Sequence, residues 1–218
     1  MKYLFTVLFL STIGASFSQS IKLLPEKMDA VNVKVSEATY KGKKAVSVIG
    51  NNYNAEELAI IKDIMFKNGT IELDVSGDRL PGTDTNFRGF IGLAFRLQHE
   101  KDTLKYECLY LRPTLGRDED QLRRNHSTQY ISAPYFPWQL LRNETPGLYE
   151  SYADMIPGEW THLKIIVEGQ RAWLYINNAS QPTLIVNDLK LGNSKGALAL
   201  WIGPGTDGYF ANLKISSH

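Results

Sequence analysis

Phe90-Ile91-Gly92-Leu93-Ala94-Phe95-Arg96-Leu97 is followed, across His99-Glu100-Lys101-Asp102, by Leu104-Lys105-Tyr106-Glu107-Cys108-Leu109-Tyr110-Leu111. The pair reads as a β-hairpin. Successive side chains of a strand point to opposite faces, so parity sorts them. Ile91, Leu93, Phe95 and Leu97 share one face, opposite Phe90, Gly92, Ala94 and Arg96. On the second strand Leu109 and Leu111 oppose Tyr106, Cys108, Tyr110 and Arg112. The aliphatic face needs a second layer to bury it, since apolar burial is the main favourable contribution to folding. The opposite face carries arginine, tyrosine and small residues where a solvated sheet would carry lysine and glutamate.

The same rhythm runs outward in both directions. Strands are predicted at 31–35 and 45–49, around the turn Lys41-Gly42-Lys43, and at 70–75. A second hairpin pairs 160–168 with 171–176 around Gly169-Gln170, a two-residue turn. Strands at 183–186, 197–202 and 209–215 complete the set. Only 55–61 reads as a helical turn, and 58–61 suits a strand as well. Ile71, Leu73 and Val75 oppose Glu72 and Asp74, and Leu198, Leu200 and Ile202 oppose Ala197, Ala199 and Trp201. Many short strands with few helices predict an all-β sandwich or barrel, with the aliphatic faces as its core.

The 218 residues begin with a basic Lys2, an apolar run from Tyr3 to Leu10, and a small, polar stretch ending Ser16-Phe17-Ser18. This is the layout of a secretory signal peptide over 1–18, with 19–218 as one domain. The apolar run is shorter than the roughly 20 residues a bilayer span needs. The expected location is therefore secreted, periplasmic or cell-surface. Cys108 is the only cysteine. An exported chain without a possible internal disulfide fits a bacterial source. Of 24 Lys and Arg, Lys2 lies in the leader, leaving 23 against 23 Asp and Glu. Such balance gives no long-range attraction to nucleic acid or an anionic membrane.

Pro157-Gly158-Glu159-Trp160-Thr161-His162-Leu163-Lys164-Ile165, Arg171-Ala172-Trp173-Leu174-Tyr175-Ile176-Asn177, Gly196-Ala197-Leu198-Ala199-Leu200-Trp201 and Tyr209-Phe210-Ala211-Asn212-Leu213-Lys214-Ile215 occur in that order. With Phe66-Lys67-Asn68-Gly69-Thr70-Ile71-Glu72-Leu73-Asp74-Val75 they cover residues 64–215, and the pattern resembles the concanavalin A-like lectin/glucanase superfamily, including its laminin G-like and 3-keto-disaccharide hydrolase-type domains. The resemblance implies a jelly-roll sandwich. It implies no single function, because such folds hold lectins, glycosidases, polysaccharide lyases and adhesion modules.

From Arg112 to Arg142 the strand rhythm is lost, and arginines, tyrosines and a tryptophan gather. Guanidinium forks suit carboxylates, and aromatic faces stack on sugar rings. Arg96, Tyr110, Arg112 and Trp201 on the polar-aromatic sheet face, with Arg117, Gln121, Arg123, Tyr135 and Trp138 from the stretch above it, are the expected binding residues for an oligo- or polysaccharide. His126 and Tyr130 are the candidate acid/base pair if the same cleft is that of a glycoside hydrolase or polysaccharide lyase. A non-catalytic adhesion module is the third alternative. Arg117, Arg123 and Arg124 have a purely structural alternative in Asp118, Glu119 and Asp120.

Elsewhere the chemistry is thinner. Glu72 and Asp74 share a strand face, but Ser76 stands where the family's retaining glycosidases carry a third acid. No His/Cys/carboxylate spacing indicates zinc. The expectation is no cofactor, with calcium possible through loop residues such as Asp84, Asp188 and Asp207.

Overall fold

A computed structural model describes residues 18–50 and 55–217, so the leader read over 1–18 lies, apart from Ser18, outside the described residues. In chain order the strands are β1 (Ser18–Ser20), β2 (Met28–Val31), β3 (Val33–Tyr40), β4 (Lys43–Gly50), β5 (Glu57–Phe66), β6 (Gly69–Arg79), β7 (Ile91–Glu100) and β8 (Thr103–Leu111). They continue with β9 (Thr128–Ala133), β10 (Glu150–Ser151), β11 (Thr161–Glu168), β12 (Arg171–Ile176), β13 (Leu184–Val186), β14 (Gly196–Ile202) and β15 (Thr206–Ser217). Two short helices, α1 (Gln121–Arg124) and α2 (Trp138–Glu144), flank β9.

The strands form two antiparallel sheets. One has eight strands in the order β13-β12-β11-β6-β15-β4-β3, with β1 beside β15; the other has seven, β10-β9-β8-β7-β14-β5-β2. This is an all-β sandwich, as the strand rhythm predicted, and of the jelly-roll type that the resemblance implied. Ile71, Leu73, Val75, Leu163 and Ile165 of the eight-stranded sheet face Ile91, Leu93, Leu109, Leu198 and Leu200 of the seven-stranded one in a single core. Each such side chain, fully removed from water, contributes about 1.5–3 kcal/mol. The hairpins close at the expected turns: Lys41 and Gly42 both have positive φ (41° and 79°), and Gly169 turns at φ 57°. The helical alternative at 55–61 gives way to β5, whose Leu58 to Ile61 pair with β14.

Parity holds along β7 only as far as Phe95. The β7–β8 register shifts between Phe95 and Gln98, and Arg96 adopts φ 54°. This bulge inserts one residue. Leu97 therefore leaves the aliphatic face and joins Ala94 and Cys108 on the outside of the sheet. Arg96, expected on the open sheet face, is turned inward and fully buried. Its Nη2 donates to the carbonyls of Lys67 (2.8 Å) and Gly169 (2.7 Å) and to Asn68 Oδ1 (3.0 Å), and Nη1 donates to the Gly192 carbonyl. The guanidinium thus ties β7 to the β5–β6 turn, the β11–β12 turn and the segment before β14.

Tyr130 meets a related correction. The stretch from Arg112 to Arg142 is not irregular throughout; it contains β9, whose Thr128, Gln129 and Ser132 are buried although polar. Enclosed polar residues erase the apolar alternation that marks a strand. On β9 Tyr130 points into the inter-sheet core and donates to Glu107 Oε2 at 2.6 Å, while its oxygen accepts the Lys190 N–H at 2.9 Å. Glu107 Oε1 accepts the Leu191 N–H at 2.7 Å. Tyr130 ties β9 to β8 and to the β13–β14 connection and is not available as an acid beside His126.

Candidate functional site

The outer face of the seven-stranded sheet carries the rings that parity placed there, but they are not an open wall. Tyr106, Tyr110 and Trp201 are buried with Leu58, Ala94, Cys108 and Ala199. Trp201 Nε1 donates to Tyr106 Oη at 3.2 Å, and the Trp201 and Tyr110 rings lie 4.7 Å apart between centroids. Burial drives the Tyr110 hydroxyl up to about 12, against the opposing charge of Arg112, and raises the Cys108 thiol far above its usual range. Cys108 is therefore an inert packing residue.

The accessible chemistry begins where this ring row ends. At the C-terminal end of β8 a pocket of about 200 Å³ opens between the 88–90 segment, the α1 turn and α2. Arg88, Arg112, Arg123 and Arg142 converge on it with His126 and Trp138, and Phe90 and Leu115 add apolar surface. Of the residues expected from sequence, the fold brings Arg112, Arg123, His126 and Trp138 together here. Tyr110 sits behind them in contact with Arg112, and Trp201 is one ring further back.

Each wall has a local cause. Arg112 leaves β8 with its N–H bonded to the Ser127 carbonyl at 2.8 Å, which draws the two ends of the 112–127 excursion together. Its Nη1 donates to the His126 carbonyl (2.9 Å), and Nη2 donates to Tyr110 Oη (2.8 Å) and Gln129 Oε1 (3.2 Å). The same guanidinium lies 5.2 Å from the Phe90 and Tyr110 ring centroids and 5.4 Å from that of Trp138. Asp120 caps α1 by accepting the Leu122 and Arg123 N–H groups, and the turn directs Arg123 at the pocket with Asp118 3.1 Å from its Nη2. On α2 a spacing of four residues puts Arg142 beside Trp138, 4.6 Å from its ring centroid. Leu141, buried, anchors that helix to the core.

Arg142 is held in turn by Glu150 on β10, with Nη2 2.6 Å from Oε2 and Nε 3.1 Å from Oε1. His126 Nδ1 lies 2.9 Å from the same Glu150 Oε2. Burial lowers the His126 imidazole below its ordinary range; Glu150 opposes this, and the Arg142 and Arg112 charges reinforce it. His126 is thus neutral at pH 7 and offers the pocket an uncharged polar ring.

Other expected residues lie apart. Arg117 is exposed and clamps Asp154 through Nε (2.7 Å) and Nη2 (3.0 Å). Gln121 donates to Asn125 Oδ1 at 2.7 Å. Tyr135 is exposed on the β9–α2 connection beneath the Lys105 ammonium. Arg88 and Glu150 escaped the sequence reading, since each comes from a different segment and neither has a local signature, whereas Phe90 was placed by parity on the polar-aromatic face but not named for the site. Arg142 had one: its helical spacing from Trp138.

The carboxylate pair of β6 is occupied. Asp74, on the outer face of the eight-stranded sheet, accepts from Lys43 Nζ (2.7 Å) and Asn212 Nδ2 (2.7 Å) and meets His162 Nδ1 at 2.7 Å. Burial raises this carboxyl, but those three partners outweigh burial and hold it below the ordinary range. Among the described residues no group of three or more His, Cys, Asp or Glu side chains is placed to hold a metal. Asp188, suggested for calcium, is taken by Lys190 and Tyr149 at 2.6 Å each. A larger cleft of about 630 Å³ lies where β15 parts from β4, but no aromatic ring is among the described residues lining it. No helix of the described residues is long and apolar enough to cross a membrane.

No protein-family model and no curated protein matches the chain. Among solved structures, the carbohydrate-binding module CBM66 from Bacillus subtilis is similar at TM-score 0.58 and 18% identity, covering 87% of this chain and 96% of that one. A Bacillus subtilis protein of unknown function with a galectin-like fold is similar at TM-score 0.53 and 12% identity, covering 87% and 88%. The chain has the concanavalin A-like jelly-roll fold.

Proposed function

We propose that this chain is an exported carbohydrate-binding protein that holds an oligo- or polysaccharide in the pocket at the end of β8. One observation carries the reading: Trp138, Phe90, Arg112 and His126 converge in a single accessible pocket on a jelly-roll sandwich. The rings give an apolar face for sugar C–H groups, and guanidinium and imidazole nitrogens reach the hydroxyls at the rim. The similarity to a carbohydrate-binding module supports the same reading at the level of fold.

A second reading, catalysis on the bound glycan, draws on His126, a neutral imidazole facing the pocket with Glu150 behind it. Tyr130 is not its partner, because that hydroxyl is committed to Glu107. Hydrolase and lyase chemistry are separated from binding by product analysis of the same mixtures.

The test is a glycan array, run with and without calcium, followed by calorimetric titration of the strongest glycan. Trp138→Ala should weaken that glycan about tenfold or more, a loss of roughly 1.4 kcal/mol, with the circular dichroism spectrum unchanged. Undiminished binding by the folded variant would overturn the assignment to this pocket. Silence across the whole array would leave the protein-binding adhesion reading in its place.

A further inference from the structure

We infer that the ligand of this pocket is an anionic sugar whose acid group, a uronate carboxylate or a sulfate ester, is seated by Arg88 and Arg112. This rests on the glycan reading above and narrows it to a substrate class.

The charges around the pocket do not balance. Four arginines line the pocket. Glu150 takes Arg142, and Asp118 takes Arg123. Arg88 and Arg112 have no carboxylate partner among the described residues. Arg88 Nη1 donates to the Thr85 carbonyl at 3.0 Å. All three acceptors of Arg112 are neutral: a carbonyl, a phenol and a carboxamide oxygen. His126, neutral, adds no negative charge.

Burial decides what that surplus means. A cation in water is solvated and needs no partner, but Arg112 is only 4% exposed. A charge withdrawn from water costs several kcal/mol unless something compensates it. The faces of Phe90, Tyr110 and Trp138 return part of this through their quadrupoles, roughly 0.5–2 kcal/mol each, and leave the net charge in place. A neutral sugar would bring hydroxyl dipoles, whereas an acid brings the missing charge. Three hydrogen bonds and three rings already fix the Arg112 guanidinium, so little side-chain entropy is lost when an anion arrives.

The experiment compares acidic oligosaccharides with their neutral twins: oligogalacturonate with its methyl ester, and a sulfated galactan oligomer with its desulfated form. One acid should bind about tenfold tighter than its twin or better, as charge-assisted hydrogen bonds imply. Its advantage should shrink as salt is raised. Whichever pair discriminates names the acid group. Arg88→Gln should remove much of the advantage and Arg88→Lys should keep part of it. The salt series on the unaltered protein tests the same point without a variant. If a neutral twin or another neutral glycan binds as well as the acids, the charge inference falls and the glycan reading stands. If nothing on the broader array binds, both fall together.

Discussion

Glu107 shows at the scale of one residue how a polar side chain in a core is held and what it does to stability. Its carboxyl is buried between the sheets, and burial raises it above the ordinary range against the bonds from Tyr130 and the Leu191 N–H and the charge of Arg96. A raised native value means that the folded chain holds this proton more readily than the unfolded chain does. The contribution of Glu107 to stability is then complete below the unfolded value, about 4.5, and is lost as pH rises through the higher native one. Glu107→Gln removes the titration and keeps an acceptor for Tyr130. Its melting temperature should fall less than that of the parent as pH is raised from about 4.5, whatever constant offset an uncompensated Arg96 introduces. Parallel melting curves for the two proteins would contradict the raised carboxyl. The residue types of this network, Arg96 and Tyr130, are those a binding site would use, and residue type alone does not separate the two roles.

The separation is made at the scale of the element. Along β7 strict alternation assigns Arg96 to the outside and Leu97 to the core, and the bulge at Arg96 reverses both. Without it the guanidinium could not reach Lys67, Asn68, Gly169 and Gly192, which lie on three separate connections. Arg96→Met, which fills the space and makes none of these bonds, should destabilise the protein by about 3–5 kcal/mol in a urea titration while leaving glycan affinity intact in the folded fraction. A loss of affinity without loss of stability would instead return Arg96 to the binding surface. β9 and α2 carry the opposite lesson. The polar strand concealed itself from a reading based on apolar alternation, whereas the Trp138/Arg142 spacing was legible as soon as the segment was known to be helical. Asp120, an N-cap three residues before Arg123, was equally local.

For the whole molecule, two sheets packed on one core leave the proposed site at one end of the sandwich, where β8, α1 and α2 meet. The secretory reading also belongs to this scale. Processing after Ser18 would keep Gln19 opposite Ile215 and Ser20 opposite Lys214, so β1 would stay mostly paired with β15. Mass spectrometry of protein exported by a bacterial host should find Gln19 at the N-terminus; a retained leader would count against export by this route. The sequence by itself determined the all-β class, most strands and hairpin turns, and the charge balance, because these depend on side-chain periodicity and on conformational preferences within a few residues. It also placed Arg112, His126 and Trp138 in one stretch, and the fold brings the three to one pocket. Only the tertiary structure decided that Arg96 and Tyr130 are internal fastenings, that Tyr110 and Trp201 are buried, that Arg88 joins the pocket lining, and that Glu150 holds Arg142 behind it. Those outcomes depend on a bulge, on burial and on contacts between segments far apart in the chain, where the energy of a side chain is set by neighbours that no local pattern names.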